Sequence, residues 1–414
     1  MEPQPRIGIA QLTKSAFEGR DLNPIRNQLI TQALSSTDMA GALMDIAVID
    51  QLAGHRESGL EWQTRAIEAC RLFRTGREAP GKNTLLVFAA PGDIGGNTPV
   101  EFLLGGSEFE IITCYPQIGT AGAKALDLPP HDVAFCAAPA DASNATEFYE
   151  TVRALTAQSG VPVLNLPEAG GRLDRRNLSR VLSDIAGVRV PTTIEMTRPA
   201  LEAGIAAGDL LHRTALIRPQ GSHAGHGLAK LSSAEGLQDY LRASAEQVFQ
   251  ISTFVDYASM TDGQHRKYRV VLIDGQAFPC HMAIATRWDV WYMNAEMEES
   301  ELKRAEEQAF MDGFADGFGY RHKTALDKIA DRIGLEYVGI DCAEDAEGNL
   351  IVFEADNALI VHDMDCPKTF PYKKRHMANL FDAFEGMLAE HSRVKGPHGS
   401  ETPPNTVPWL AVAQ

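Results

Sequence analysis

Between Asn23 and about Arg74 apolar residues recur at three- and four-residue spacings: Ile25, Leu29 and Ala33, then Leu43, Met44, Ala47 and Val48, then Ala66, Ile67, Cys70 and Phe73. That is helical periodicity, and breaks at Ser35-Ser36 and Gly54 divide it into three helices. The pattern then changes. Short apolar runs at 84–90, 110–115, 132–136 and 161–165 predict buried strands, with a helix over 145–158 before the last. Strands alternating with helices imply a largely parallel, doubly wound sheet. Residues 80–83 read as a linker between the helical region and this α/β segment.

A second boundary falls at 167–172, where Pro, Gly and charged residues cluster. The pattern beyond it predicts a helix at 175–186, an apolar strand ending in Pro191-Thr-Thr193, a helix at 198–206, a strand at 214–218, a helix at 234–243 and a strand-rich carboxy-terminal half. A helix at 374–391 closes the folded part, and the Pro-, Ser- and Thr-rich end reads as a flexible tail. The expected organisation is a helical region at 1–79, weakly similar to a tetratricopeptide unit, an α/β domain at 80–170, a catalytic region at 171–391 and a tail at 392–414.

The chemistry concentrates in Val338-Gly-Ile-Asp-Cys-Ala-Glu-Asp-Ala-Glu-Gly-Asn-Leu-Ile-Val-Phe-Glu-Ala-Asp-Asn357. Two apolar runs, 339–341 and 351–354, read as paired strands with 345–349 as the polar hairpin turn. Asp341, Glu354 and the Asn357 amide oxygen then lie at adjacent strand ends and offer hard oxygen ligands. Magnesium is usually held by one or two carboxylates together with substrate phosphates. A second candidate is Ala215-Leu-Ile-Arg-Pro-Gln-Gly-Ser-His-Ala-Gly-His-Gly-Leu228, a strand running into a loop with Gly221, Ser222, Gly225 and Gly227. Such a loop lets backbone amides curl over phosphate oxygens. His223 and His226 are equally read as exposed polar residues or as catalytic groups. Glycines at 92, 95 and 96 follow the first α/β strand without a dinucleotide fingerprint or Walker lysine, and read as a substrate-facing turn.

In order and content these motifs resemble the ATP-grasp superfamily, in particular the branch containing glutathione synthetase and the ribosomal-protein glutamate ligases. The resemblance implies an ATP-grasp fold over about 84–390, preceded by the doubly wound domain and the helical extension. It implies ATP and Mg2+ as cofactors, with Asp341, Glu354 and Asn357 as metal ligands. Arg218 stands where the family usually has lysine, and the helix at 175–186 lacks the second lysine, leaving Arg176 or Arg180 as its substitute. The strand Phe249-Gln-Ile-Ser-Thr-Phe-Val-Asp256 is similar to the hinge that reads adenine through its backbone, which puts Thr253, Phe254 and Val255 on the base and Asp256 or Tyr257 on the ribose. Arg269 matches the family's Asp-x-Arg arginine, and Arg287 and Asn294 match an active-site arginine and asparagine. Trp288, Trp291 and Tyr292 crowd together nearby and suggest a substrate with an apolar or planar portion if they face the cleft.

The implied activity is ATP-dependent ligation of a carboxylate to an amine or thiol through an acyl-phosphate, on an amino acid, a small peptide or a protein. The alternatives are a phosphotransferase with the same machinery and a nucleotide-binding scaffold with weakened catalysis. Composition narrows the rest: a formal net charge of −17 over 414 residues argues against bulk nucleic-acid binding. No basic segment followed by an apolar stretch opens the chain, and no run of about 18 apolar residues occurs, so a cytoplasmic, non-membrane protein is expected. Six scattered cysteines without a CxxC pair indicate neither zinc nor disulfides. The helical region is expected to be an extension packed on the catalytic body or used in homodimerisation.

Overall fold

Gln4–Arg6 (β1) enters directly into four helices, Ile9–Phe17 (α1), Asn23–Ser35 (α2), Met39–Leu52 (α3) and Arg56–Ala69 (α4), before Leu72–Thr75 (β2). The computed structural model describes residues 2–35, 39–76, 82–119, 126–140, 144–167, 173–207, 213–222 and 225–392. The expected tail at 392–414 therefore lies, from 393 on, outside the described residues, as does His223. Helix α3 is buried on all sides from Ala40 to Asp50, as its run of Ala, Leu, Met, Ile and Val demands. Its one buried acid near the middle, Asp45, accepts hydrogen bonds from the Ile7 and Gly8 amides at 2.7 and 3.1 Å and so fixes the start of α1.

The α/β segment follows as Asn83–Phe88 (β3), Val100–Leu103 (α5), Phe109–Cys114 (β4), Val133–Cys136 (β5), Ala145–Thr156 (α6) and Val163–Leu164 (β6). These strands form one six-stranded sheet, order β1-β2-β4-β3-β5-β6. Pairing is parallel from β4 through β6, and β2 joins antiparallel to β4. Strands β1 and β2, too short to stand out in the pattern, thus carry the helical region into the same sheet. The segments expected at 1–79 and 80–170 share that sheet and one hydrophobic core.

The remainder is built on two further sheets. Arg175–Leu182 (α7) and Val188–Arg189 (β7) lead into a small unit of Thr193–Thr197 (β8), Arg198–Ala207 (α8), Ala215–Pro219 (β9), Ala229–Leu231 (β10), Ala234–Ala243 (α9) and Val248–Thr253 (β11). Its sheet has order β10-β9-β11-β8, and Leu201, Ile217, Leu237, Leu241 and Phe249 make a core of its own. The chain continues through His265–Ile273 (β12), Gln276–Ala285 (β13), a 3-10 turn at Tyr292–Asn294, Glu301–Asp312 (α10), Phe318–Ile333 (α11), Tyr337–Glu344 (β14), Leu350–Asp356 (β15) and Lys373–Ser392 (α12). The third sheet has order β13-β12-β14-β15-β7.

The strand-rich reading of the carboxy-terminal half is corrected by α10 and α11. In α11, Phe318, His322, Ala325, Leu326, Ile329 and Ile333 line one buried face at helical spacing, and Gly334 ends the helix in the left-handed conformation at φ +68°. Hairpin β14–β15 forms as expected. The Asp345 carboxylate accepts from the Glu347 and Asn349 amides, and Gly348 supplies the positive φ of the turn. Among the described residues no helix is long and apolar enough to cross a membrane.

Candidate active site

A cleft of about 1370 Å³ lies where the three sheets meet, larger than the roughly 300–1,000 Å³ of a single small-ligand pocket. Its floor is the third sheet. Arg269 on β12 stands opposite Asp341 on β14 in the antiparallel register, and Asp341 stands opposite Glu354 on β15. Register alone therefore brings three expected residues together. Arg269 donates from Nε and Nη2 to the two Asp341 oxygens at 2.7 and 3.0 Å, and Lys267, two positions earlier on the same face, reaches Asp341 Oδ2 at 2.7 Å. Asp341 is only 2% exposed. Burial alone would raise its pKa, but the Arg269 and Lys267 charges outweigh it and hold the carboxyl well below the usual range. Arg269 Nη1 also donates to the Ile360 carbonyl at 2.9 Å.

Glu354 is paired with the guanidinium of Arg175, in the first turn of α7. The Asp174 side chain caps that helix by accepting from the Arg176 and Asn177 amides, which sets Arg175 at the cleft. Arg175 and Arg176 line the cleft and Arg180 does not: it is exposed and donates to Asn177 Oδ1 at 3.0 Å. Position 175 follows directly on the acidic cap, a signal the sequence carried and the expectation passed over.

Asn357 requires a correction. It is 1% exposed and absent from the cleft lining. Its Oδ1 accepts from the Ala140 amide at 3.0 Å, its Nδ2 donates to the Ala138 carbonyl at 2.9 Å, and its own carbonyl accepts from Thr98 Oγ1 at 2.7 Å. It clasps the end of β15 to the loops after β3 and β5. Strand alternation explains the difference: side chains two apart share a face. Asp356, two positions after Glu354, lines the cleft instead.

The oxygen donors Asp341 and Glu354, facing each other across a strand pair, suit a hard divalent cation that brings its own phosphate and water ligands. Among the described residues no group of three or more His, Cys, Asp or Glu side chains is placed to hold a metal by itself. A carboxylate pair completed by phosphates is the arrangement that fits.

Over the floor, β9 carries Arg218 into the glycine loop. Its Nε donates to Ser222 Oγ at 3.0 Å and its Nη2 to the Ser222 carbonyl, so one side chain ties down the turn. Burial, and then the neighbouring positive charge of Arg175, bring the Arg218 pKa down to about 10. Gly221, Gly225 and Gly227 all have positive φ. At Gly227 a Cβ would lie 2.6 Å from Pro219 Cδ, so the return of the loop past β9 requires glycine. Gly221 and Gly225 line the cleft, whereas Ser222 and Gly227 do not; His226 is exposed.

The hinge residues Thr253, Phe254 and Val255 line the cleft, with Tyr257 rather than Asp256 beside them. The Thr253 and Phe254 amides donate to the Thr192 and Thr214 carbonyls and so extend the sheet. Asp256 instead accepts from the Ala258 amide at 3.1 Å. Lys230 Nζ sits 3.5 Å from the Phe254 ring centroid, and Phe254 meets Trp288 edge-on at 5.8 Å. Neither Lys230 nor Lys267 was singled out in the sequence.

Arg287 is a second correction. It is exposed, pairs with Asp289 two residues on, and does not line the cleft. Asn294 does line it, but its amide accepts from the Trp291 N–H at 2.9 Å and donates to the Asp289 carbonyl at 3.0 Å, holding the 289–294 turn closed. That turn presents Trp291, 50% exposed, at the cleft. Burial pushes the His281 and His362 pKa values down.

No family model matches the chain, and no curated protein sequence does. Among solved structures, the chain is similar to a RimK-domain ATP-grasp protein from Sphaerobacter thermophilus, at 16% identity over 74% of this chain and 99% of that one, with a TM-score of 0.41. It is similar to the D-alanine–D-alanine ligase of Bacillus anthracis in complex with ATP, at 15% identity over 77% and 100%, with a TM-score of 0.42. It is also similar to the ATP-grasp ligase PsnB in complex with a precursor peptide and AMPPNP, at 16% identity over 76% and 100%, with a TM-score of 0.40.

Proposed function

We propose that this protein is an ATP-dependent ligase of the ATP-grasp type, joining a carboxylate to an amine or thiol through an acyl-phosphate. The observation that carries the reading is the cross-strand set Arg269, Asp341 and Glu354 on the floor of a cleft roofed by the Arg218 glycine loop. Such a set places fixed positive charge and hard oxygen donors around one point, which is what phosphoryl transfer needs.

Asp341 and Glu354, with Asp356 alongside, would hold magnesium, which when bound offsets charge on the phosphate oxygens. The backbone at Gly221 and Gly225 would follow the phosphates, while Arg218 and Arg175 supply charge. Arg218 can do so by giving up Ser222, and Arg175 by giving up Glu354 once a cation neutralises that carboxylate. A substrate carboxylate oxygen attacks the γ-phosphorus and the bond to the ADP oxygen breaks. The amine nitrogen then attacks the acyl carbon, phosphate leaves with the former carboxylate oxygen, and the amine proton passes to solvent or phosphate. Arg269, fixed at three points, is aimed at the negative charge of both steps. No side-chain nucleophile is required.

The size of the cleft supports two substrates bound together, and Trp288 and Trp291 on its wall favour a partner with apolar or planar surface. An amino acid or short peptide fits that description. Incubation with magnesium ATP and a pool of amino acids and dipeptides, read by mass spectrometry, tests the proposal. Wild type is expected to release ADP and a product equal to two substrates less water, and Glu354→Gln to lower the rate by about two orders of magnitude or more. A product carrying phosphate would identify a kinase, and equal behaviour of the two proteins would overturn the catalytic assignment.

A further inference from the structure

The amino-terminal helices reach the cleft. The loop after β3, residues 90–97, contributes Asp93, Ile94, Gly95 and Gly96 to its wall, and α3 and α4 hold that loop residue by residue. Gln63 on α4 grips Gly92 at both ends: its Oε1 accepts from the Gly92 amide at 2.8 Å and its Nε2 donates to the Gly92 carbonyl at 3.0 Å. Gln51 on α3 accepts from the Ile94 amide at 2.9 Å. Arg56 meets the Asp93 carboxylate with two hydrogen bonds of 2.6 and 2.9 Å, although both side chains are exposed and the pair adds little. Asn97 closes the loop on itself by pairing with the Ala90 amide and carbonyl at 2.8 and 2.9 Å.

The helices are built for this contact. A Cβ at Gly59 would fall 2.5 Å from Gln51 Cγ and 2.8 Å from the Ala47 carbonyl oxygen, so glycine lets α4 press against α3 where Gln51 emerges. Across the cleft, Gly95 at φ +84° brings its backbone against Ile360, whose Cδ1 would be 3.3 Å from a Cβ there. The loop lies beyond the carboxyl end of a parallel strand, where open α/β sheets take ligands. It stands on the six-stranded sheet, whereas the hinge and Arg218 belong to the small sheet.

We infer that Gln51 and Gln63 are positioning residues that hold the 91–96 loop as the wall for the second, non-nucleotide substrate. The inference rests on the ligase reading above. It assigns the helical region a part in substrate recognition: a wall held by side chains from α3 and α4 keeps its backbone amides and the Gly95–Ile360 approach at one fixed width, so the half of the cleft facing it is preorganised.

The test uses the full chain with Gln63→Leu, Gln51→Leu and the conservative Gln63→Glu, which keeps the acceptor for the Gly92 amide and loses the donor. Joined product is measured against dilutions of the amino acid and dipeptide pool at saturating magnesium ATP, beside AMPPNP binding and hydrogen exchange. For Gln63→Leu the half-saturating pool concentration is expected to rise about tenfold, the AMPPNP dissociation constant to stay within about twofold, and the amides of 92–96 to exchange faster. Gln63→Glu is expected to fall between wild type and Gln63→Leu. An unchanged half-saturation, or an equal loss of AMPPNP binding, overturns the inference while leaving the ligase reading in place. A wild-type protein that joins no pair of substrates overturns the ligase reading and this inference together.

Discussion

Asp341 is buried and charged, a combination tolerated only with close partners, and its two partners are fixed by strand register: Arg269 directly opposite and Lys267 two residues earlier. The Asp341–Glu354 half of the site was legible in the sequence because both carboxylates end apolar runs joined by a recognisable turn. Of the three expected ligands, Asn357 lies away from the cleft, and Asp356 lines it. Glu354 and Asp356 share a face of β15, and Asn357 follows the last strand residue and turns into the protein to clasp Ala138 and Ala140. This assignment has a direct check. Asn357→Ala is expected to lower unfolding free energy by about 1–3 kcal/mol by leaving buried backbone groups unpaired, with the magnesium dependence of AMPPNP binding unchanged. Asp356→Asn is expected to weaken that dependence by about tenfold. The opposite pattern would restore Asn357 as a ligand.

The elements most legible in the sequence were those with several periods of pattern, such as α2, α3, α4, α6, α9 and the β14–β15 hairpin. Strands β1 and β2 span only three and four residues and exist because β4 offers an edge, a tertiary cause that no local pattern records. Helix α10 escaped notice because its buried residues are Glu307 and Met311, so no apolar stripe marks it; its anchor is the fully buried Glu307, which accepts from the Met282 amide and the Tyr372 hydroxyl. Helix α3 shows how such anchors affect stability. Burial raises the Asp45 carboxyl to about 6, so the native state holds a proton that the unfolded chain, with a pKa of about 3.9, releases earlier. This contribution is complete below about pH 4 and is lost as pH rises through 6. Relative to Asp45→Asn, wild type is expected to lose about 2 kcal/mol between pH 4 and 7 in urea unfolding; parallel curves for the two proteins would show that Asp45 does not titrate there.

At the scale of the whole molecule, three sheets and a helical region converge on one cleft. The sequence reading separated the helices from the α/β segment because residues 80–83 look like a linker, yet β1 and β2 place both on one sheet and α3 and α4 grip the cleft wall. Such contacts, between residues 29 and 43 positions apart, depend on how two helices pack, which periodicity does not encode. In the proposed reaction a carboxylate oxygen of one substrate attacks the γ-phosphate, and that oxygen leaves with phosphate. The most direct measurement is to supply the amino acid and dipeptide pool with oxygen-18 in its carboxylates, together with magnesium ATP, and to weigh the phosphate released. One oxygen-18 is expected in each phosphate formed with joined product, and none with Glu354→Gln beyond its residual turnover. Unlabelled phosphate would mean that water is the acceptor, and label retained in a phosphorylated product would mean phosphoryl transfer without ligation; either result would rule out an acyl-phosphate ligase.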